Sequence, residues 1–153
     1  MRLALYQPDI PQNLGAFIRL SACLGTPIDL IEPCGFPIDD KRIRRAAMDY
    51  YDRAAIIRHA SWMAFQRDRG RARLILLTTA GDQRFPDAAF RADDTLLVGR
   101  ESAGVPQEVH AAADLRLRIP MTSGSRSINV ALAAAMVLGE ALRQTAGFDA
   151  LSD

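Results

Sequence analysis

Three short segments combine glycine, amide, hydroxyl and charged residues at spacings that can build a binding site. The first is Asn13-Leu14-Gly15-Ala16-Phe17-Ile18-Arg19, in which Arg19 follows Asn13 by six residues. We expect Asn13 to cap a helix, and the helix then carries Arg19 nearly two turns further along, on a different flank. Taken alone, the segment is also explained by an ordinary cap and a surface arginine.

The second segment is Gly99-Arg100-Glu101-Ser102-Ala103-Gly104-Val105-Pro106, which directly follows an apolar run. Glycines permit positive φ and close backbone approach, so peptide groups here can line a small planar ligand. The segment fits neither GxGxxG nor the P-loop pattern, because no Lys-Ser or Lys-Thr pair follows Gly104. A nucleoside triphosphate is therefore disfavoured, and an ordinary strand-to-helix turn is the alternative.

The third segment, residues 119–129, is a polar loop that leads into the final helix. Ser125, Ser127 and Asn129 alternate, so a turn can display their polar groups on one side. We expect Ser127 to cap the final helix, which by itself would explain the segment. Val130 to Leu138 contains no polar residue, which predicts burial of nearly the whole helix circumference, either inside one chain or against a second subunit.

These segments lie where predicted strands end, which is where open α/β sheets bind ligands. Short apolar strands alternating with helices predict a mostly parallel sheet with helices on both faces, the α/β class. The predicted strands are 2–6, 28–31, 55–57, 74–77, 95–98 and 115–119. The predicted helices begin at residue 13 and at residues 39–40, and the others span 61–69, 106–113 and 127–145.

Size and charge narrow the function further. The 153 residues are about the length of one domain, and no apolar run approaches the ~20 residues that cross a bilayer, so we expect one soluble, unexported domain over 1–153. Cys23 and Cys34 lack metal-ligand spacing, so no zinc site or disulfide framework is expected. Ten basic residues and three aspartates lie between Lys41 and Arg73, which favours a polyanionic partner, although a solvated basic face has the same composition.

Together, Asn13-x-Gly15-x-x-x-Arg19, Gly99-x-Glu101-x-x-Gly104-x-Pro106 and Ser125-x-Ser127-x-Asn129 resemble the three ordered motifs of the SPOUT class of RNA methyltransferases. Further segments resemble its minimal branch, the tRNA (cytidine/uridine) 2′-O-methyltransferases that act on the wobble nucleotide, and the resemblance runs from Arg2 to about Arg143. These segments include Leu5-Tyr6, Ile31-Glu32-Pro33, Asp40-Lys41-Arg42, Arg44-Arg45-Ala46 and Leu77-Thr78-Thr79.

The resemblance implies a C-terminal deep trefoil knot, a cytoplasmic homodimer, and S-adenosylmethionine bound in the knot, with no metal. The implied cofactor-binding residues are Leu77, Thr78, Gly99, Glu101, Gly104, Ile119, Met121 and Ser127. The implied catalytic residues are Arg19, Asn13, Glu101, Ser127 and Asn129. The resemblance implies that Arg19 activates the ribose hydroxyl, together with the RNA phosphate; because a guanidinium is a poor base, the alternative is that Arg19 orients this phosphate and stabilises the developing alkoxide. Neither His59 nor His110 stands in a motif.

The implied RNA contacts are phosphate contacts to the tRNA anticodon stem-loop from Lys41, Arg42, Arg44 and Arg45, with Tyr50, Tyr51 and Phe36 as stacking candidates. The sequence departs from its relatives at Arg100, often a proline, and at Gly139, where relatives can carry a tyrosine. The alternatives are a catalytically silent RNA-binding homologue, a methyltransferase of a different RNA, and a flavodoxin-like module. The last is disfavoured because no phosphate-binding loop follows the first strand.

Overall fold

The computed structural model of the protein describes residues 1–38 and 40–151, without the side chains of residues 40–42 and 46. The strands are β1 Arg2–Tyr6, β2 Ile28–Ile31, β3 Ile56–His59, β4 Leu74–Leu77, β5 Gln83–Arg84, β6 Thr95–Val98 and β7 Leu115–Arg118. The α-helices are α1 Pro11–Leu24, α2 Asp40–Ala47, α3 Trp62–Asp68, α4 Gln107–Ala112 and α5 Val130–Gln144. Short 3-10 helices span Met48–Arg53, Phe85–Asp87 and Gly147–Ala150.

These strands form one parallel sheet in the order β3-β2-β1-β6-β4-β7-β5. Successive residues of a strand face opposite sides of a sheet, and β1 shows this clearly. Leu3 and Leu5 belong to one buried cluster, whereas Ala4 and Tyr6 belong to the other. Helices α1 and α5 cover the first face, and α3 and α4 cover the second. The predicted α/β class, with helices on both faces, is confirmed.

Most predicted strands match the structure, with differences at the weakest patterns. The strand expected at 55–57 is instead β3 at Ile56–His59, and the strand expected at 115–119 ends at Arg118. The two-residue strand β5 was not predicted, because two polar residues show no apolar alternation. Asp39, half of the expected start of the basic helix, lies outside the described residues.

The predicted helix caps at Asn13 and Ser127 are both wrong. Helix α1 begins two residues before Asn13, with Pro11 at its first position, where the fixed φ of proline suits a helix start. Asn13 therefore lies inside the first turn and its side chain is free to bond elsewhere. Asn129, not Ser127, caps α5, because its Oδ1 accepts from two backbone amides, those of Ala131 and Leu132, at 3.0 and 3.2 Å.

In the single chain, helix α5 is not buried around its whole circumference. Of the two alternatives predicted from the sequence, burial inside one chain is therefore wrong, and burial against a second subunit stays a prediction. Ala134, Val137 and Leu138 are fully buried, but Leu132 and Met136 are 62% and 46% exposed. Four residues apart, these two side chains share one helix face. Within the described part of the chain, no helix is long and apolar enough to cross a membrane.

Candidate functional site

A cavity of about 380 Å³ opens at the carboxyl ends of β4, β6 and β7. The cavity wall contains every residue that the sequence assigned to the cofactor: Leu77, Thr78, Gly99, Glu101, Gly104, Ile119, Met121 and Ser127. Asn13, Arg100 and Asn129 also line it. The three motifs, which are far apart along the chain, therefore meet at one place.

The three motifs are joined by a chain of side-chain hydrogen bonds centred on Asn13, which is 8% exposed. Asn13 Nδ2 donates to Glu101 Oε1 at 2.9 Å, and Asn129 Nδ2 donates to Asn13 Oδ1 at 3.0 Å. Asn129 also holds the start of α5 through its Oδ1. The three residues therefore tie α1, the loop after β6 and the start of α5 together at the cavity wall.

Asp9 joins the loop after β1 to the loop after β6 from the other side of Glu101. The Asp9 backbone amide donates to Glu101 Oε2 at 3.0 Å, and the Glu101 amide donates to Asp9 Oδ1 at 3.1 Å. Ser102 Oγ also donates to Asp9 Oδ2. The hydrogen bond with Glu101 lowers the pKa of Asp9 to about 2, while burial raises the pKa of Glu101. Sequence reasoning missed Asp9, although a carboxylate just beyond a buried strand was a usable signal.

The loop after β6 folds back on itself at its two glycines. Arg100 and Gly104 exchange both backbone hydrogen bonds at 2.9 Å. A Cβ on Gly99 would lie 2.6 Å from the carbonyl carbon of Gly104, so only glycine fits there. Gly104 itself has φ of 64°, in the left-handed region. This tight turn brings peptide groups to the cavity wall without side chains in the way.

The remaining wall is apolar and suits a flat aromatic group. Leu77, Ile119 and Met121 line it from the ends of β4 and β7. Thr78 continues from β4 and donates its amide to the Leu117 carbonyl oxygen at 2.9 Å. An apolar cavity of this size with a few backbone groups and hydroxyls in its wall is typical of a binding site for a small molecule.

Arg19 does not line this cavity. Its side chain is exposed on α1, and its guanidinium carbon lies 5.0 Å from the ring centroid of Tyr50, which also contacts Arg53 at 5.8 Å. His59 is also absent from the wall: it is buried, with Nε2 at 2.8 Å from Asp29 Oδ1. His110 lies on α4 and does not line the cavity.

Part of the predicted RNA surface can be located. Arg44 lies over the Tyr51 ring at 4.5 Å and bonds to Asp52, and Arg45 is exposed. The side chains of Lys41 and Arg42 lie outside the described residues. Phe36 and Tyr51 are both half-buried and pack against the same apolar cluster, and Tyr50 is half-buried as well.

Neither cysteine belongs to a metal site or disulfide. Cys23 is exposed, and Cys34 is half-buried, where burial raises the pKa of its thiol to about 11. Across residues 1–38 and 40–151, no group of three or more histidine, cysteine, aspartate or glutamate residues is arranged to hold a metal ion.

Comparison with known proteins identifies the family. The family model of the SpoU rRNA Methylase family matches residues 1–139. A tRNA (cytidine(34)-2'-O)-methyltransferase of Beijerinckia indica subsp. indica is 57% identical, over 99% of this chain and 96% of that protein. The chain belongs to the SpoU rRNA Methylase family, which confirms the resemblance carried by the three motifs.

Two solved structures of methyltransferases have the same fold as this chain. One, described as "Structural insights into the 2-OH methylation of C/U34 on tRNA", is 41% identical, with a TM-score of 0.87 and coverage of 94% of both chains. An AdoMet-bound rRNA methyltransferase from Sinorhizobium meliloti is 29% identical, with a TM-score of 0.82, and covers 99% of this chain and 57% of that one.

Proposed function

We propose that this protein transfers a methyl group from S-adenosylmethionine to the ribose 2′-hydroxyl of nucleotide 34, the wobble nucleotide, of tRNA. The cavity walled by all three motifs carries this proposal. The relative that is 57% identical over nearly the whole chain is named for the same reaction on cytidine 34. Residues 1–153 then act as one SPOUT-like methyltransferase domain, in the cytoplasm where tRNA is modified.

The cavity residues fit S-adenosylmethionine, which supplies an electrophilic methyl group when bound. Leu77, Ile119 and Met121 would hold the adenine ring, and backbone groups near Gly99 and Gly104 would contact its edge. Thr78 and Ser127 offer hydroxyls to the remaining polar groups. Support for this placement comes from the close packing of Gly99 on Gly104, where a Cβ on Gly99 would lie 2.6 Å from the Gly104 carbonyl carbon, and from the fact that both glycines line the cavity.

Glu101, Asn13, Asn129 and Ser127 position the reactants. The hydrogen-bonded link from Asn129 to Glu101 keeps the motif loops in register, so the ribose hydroxyl and the methyl group approach in line. Such alignment can account for roughly 7–11 kcal/mol of the barrier. Arg19 would orient the RNA phosphate and stabilise the negative charge that develops on the 2′-oxygen as the hydroxyl proton passes to water.

We further propose that the active form is a homodimer in which Arg19 serves the cavity of the partner subunit. Two observations support this. Arg19 does not line the cavity of its own chain, and α5 leaves Leu132 and Met136 exposed on one face. Covering two such side chains with a second copy removes apolar area from water. The C-terminal part, from β4 to α5, is proposed to be tied in a trefoil knot.

The basic surface of α2 and the following 3-10 helix is proposed to bind the anticodon stem-loop. Arg44 and Arg45, with Lys41 and Arg42, meet phosphates, and Tyr50 and Tyr51 lie among the arginines, where an unstacked base can join them. Charge reversal of Arg42 and Arg45 to glutamate is expected to weaken tRNA binding and flatten its salt dependence.

The deciding experiment is transfer of a labelled methyl group from S-adenosylmethionine to tRNA that lacks ribose methylation at position 34. Nuclease digestion and mass mapping then locate the label. A 2′-O-methylated nucleotide 34 is the expected product. Label on a base, or at another position, refutes the proposed substrate. No label, from a folded protein that binds S-adenosylmethionine, favours the silent homologue or another RNA.

A further inference from the structure

Arg100 is the one half-buried arginine, within the part of the chain that the structure describes, whose side chain makes no hydrogen bond or ion pair. The other half-buried arginines all bond to side-chain or backbone oxygens: Arg2 to Asp29, Arg69 to Gln66, Arg73 to Asp94, Arg116 to Asp82 and Arg118 to the Gly81 carbonyl. A guanidinium that is partly removed from water without an acceptor is costly, so Arg100 requires a specific explanation.

Arg100 contacts the ring of Tyr6 with its side chain and bonds to Gly104 with its backbone. Its backbone is fixed by the paired hydrogen bonds with Gly104, and its guanidinium carbon lies 5.9 Å from the ring centroid of Tyr6. Tyr6 is 6% exposed and is itself packed edge-on against Trp62. The side chain is therefore directed by an aromatic contact that leaves its positive charge without a counter-ion.

The neighbouring carboxylate does not supply that counter-ion. Both oxygens of Glu101 are already bonded, Oε1 to Asn13 and Oε2 to the amide of Asp9. Among the described residues that line the cavity, Arg100 is the basic side chain and Glu101 is the acidic one. An anionic group that enters this cavity therefore meets Arg100 as its complementary charge.

We propose that Arg100 binds an oxyanion that the ligand brings to the cavity. The inference rests on the proposed function and adds a residue to it. Two groups in that reaction carry such oxygens: a phosphate of the RNA next to the target ribose, and the carboxylate of S-adenosylmethionine. The planar guanidinium fork suits either oxyanion, and it would form a charge-assisted contact with it.

The test compares Arg100→Met and Arg100→Lys with the wild type, with Arg91→Met as the matched control. Arg91 is exposed and precedes the amino end of β6, whereas Arg100 follows the carboxyl end of the same strand. Calorimetry gives the affinities for S-adenosylmethionine and for methylthioadenosine, which lacks the carboxylate. Filter binding gives tRNA affinity as a function of salt. Thermal unfolding shows that each variant is folded.

We expect Arg100→Met to weaken the affinity for either S-adenosylmethionine or tRNA by about tenfold. Arg100→Lys should recover only part of the lost affinity, because lysine keeps the positive charge but not the planar fork of the guanidinium. Weaker S-adenosylmethionine binding with unchanged methylthioadenosine binding identifies the carboxylate. Weaker tRNA binding, with a salt slope reduced by about one, identifies the phosphate. Arg91→Met should change neither affinity.

Two results overturn the inference. One is unchanged affinity for both ligands in Arg100→Lys and folded Arg100→Met. The other is an equal loss in Arg91→Met. If Arg100→Met does not fold, Arg100→Gln replaces it in the same assays. Binding is read without turnover, so a wild type that fails to methylate tRNA but binds S-adenosylmethionine through Arg100 refutes the proposed substrate and not the role of Arg100.

Discussion

Replacing Asn129 by alanine tests the link that joins the three motifs. The change removes the cap of α5, which costs about 1 kcal/mol. It also leaves the buried Asn13 Oδ1 without the donor now at 3.0 Å, which costs about 1–3 kcal/mol. We therefore expect a loss of about 2–4 kcal/mol in the free energy of unfolding, or about 5–15 °C in Tm for a chain of this size.

Ser61→Ala is the matched control. Ser61 caps α3 by accepting from the Ala64 amide at 3.1 Å, and it is exposed, so its loss removes a cap and nothing else. We expect about 1 kcal/mol from this change. Asn129→Asp separates the two effects further. It keeps the oxygen that caps α5, but it replaces the Nδ2 group that donates to Asn13 Oδ1 with an oxygen that cannot donate.

The measurement is thermal unfolding followed by circular dichroism, with all variants at one protein concentration so that association affects them equally. Asn129→Ala should lose clearly more stability than Ser61→Ala. Asn129→Asp should also be destabilised, despite its favourable charge at a helix start. If Asn129→Ala costs no more than Ser61→Ala, the bond between the asparagines contributes nothing and the reasoning is refuted.

Three further predictions follow from the site. Gly99→Ala should abolish S-adenosylmethionine binding measured by calorimetry, because its Cβ would lie 2.6 Å from the backbone of Gly104 and would open the turn; tight binding by folded Gly99→Ala would contradict this. Arg19→Ala should lower kcat at least about 100-fold while S-adenosylmethionine affinity changes little, and a large loss of affinity would contradict its role. Leu132→Glu should shift the sedimentation coefficient from dimer to monomer, and an unchanged dimer would exclude this face.

The strand pattern could be predicted well because each buried strand is a short apolar run. Leu74–Leu77 and Thr95–Val98 have almost no polar residues, and both were predicted to the residue. Helix starts were predicted less well, because several residues near each start can cap. Asn13 has the ordinary chemistry of a cap, but Pro11 begins the helix two residues earlier and the Asn13 side chain bonds to Glu101 and Asn129 instead.

The candidate site could be found from sequence only by combining motifs. Each motif alone is compatible with a cap or turn, and their meeting at one cavity depends on the strand order, which no local pattern specifies. For Arg19 the motif and the structure differ: its motif marks it as functional, but the structure places its side chain outside the cavity, beside Tyr50, and helix periodicity could not predict this position. Asp9 and Arg100 matter through unpredicted neighbours, Glu101 and Tyr6.

The bonds at the cavity wall also bear on how the chain folds. Asn13 is 88 residues from Glu101 and 116 from Asn129, so these contacts close very long loops at a cost in chain entropy. A growing chain that has not yet produced α5 lacks the third wall. A ligand that binds the finished cavity therefore stabilises the complete fold by mass action, because only that fold contains its site. Ligand protection against proteolysis should accordingly extend to β1 and α5 together.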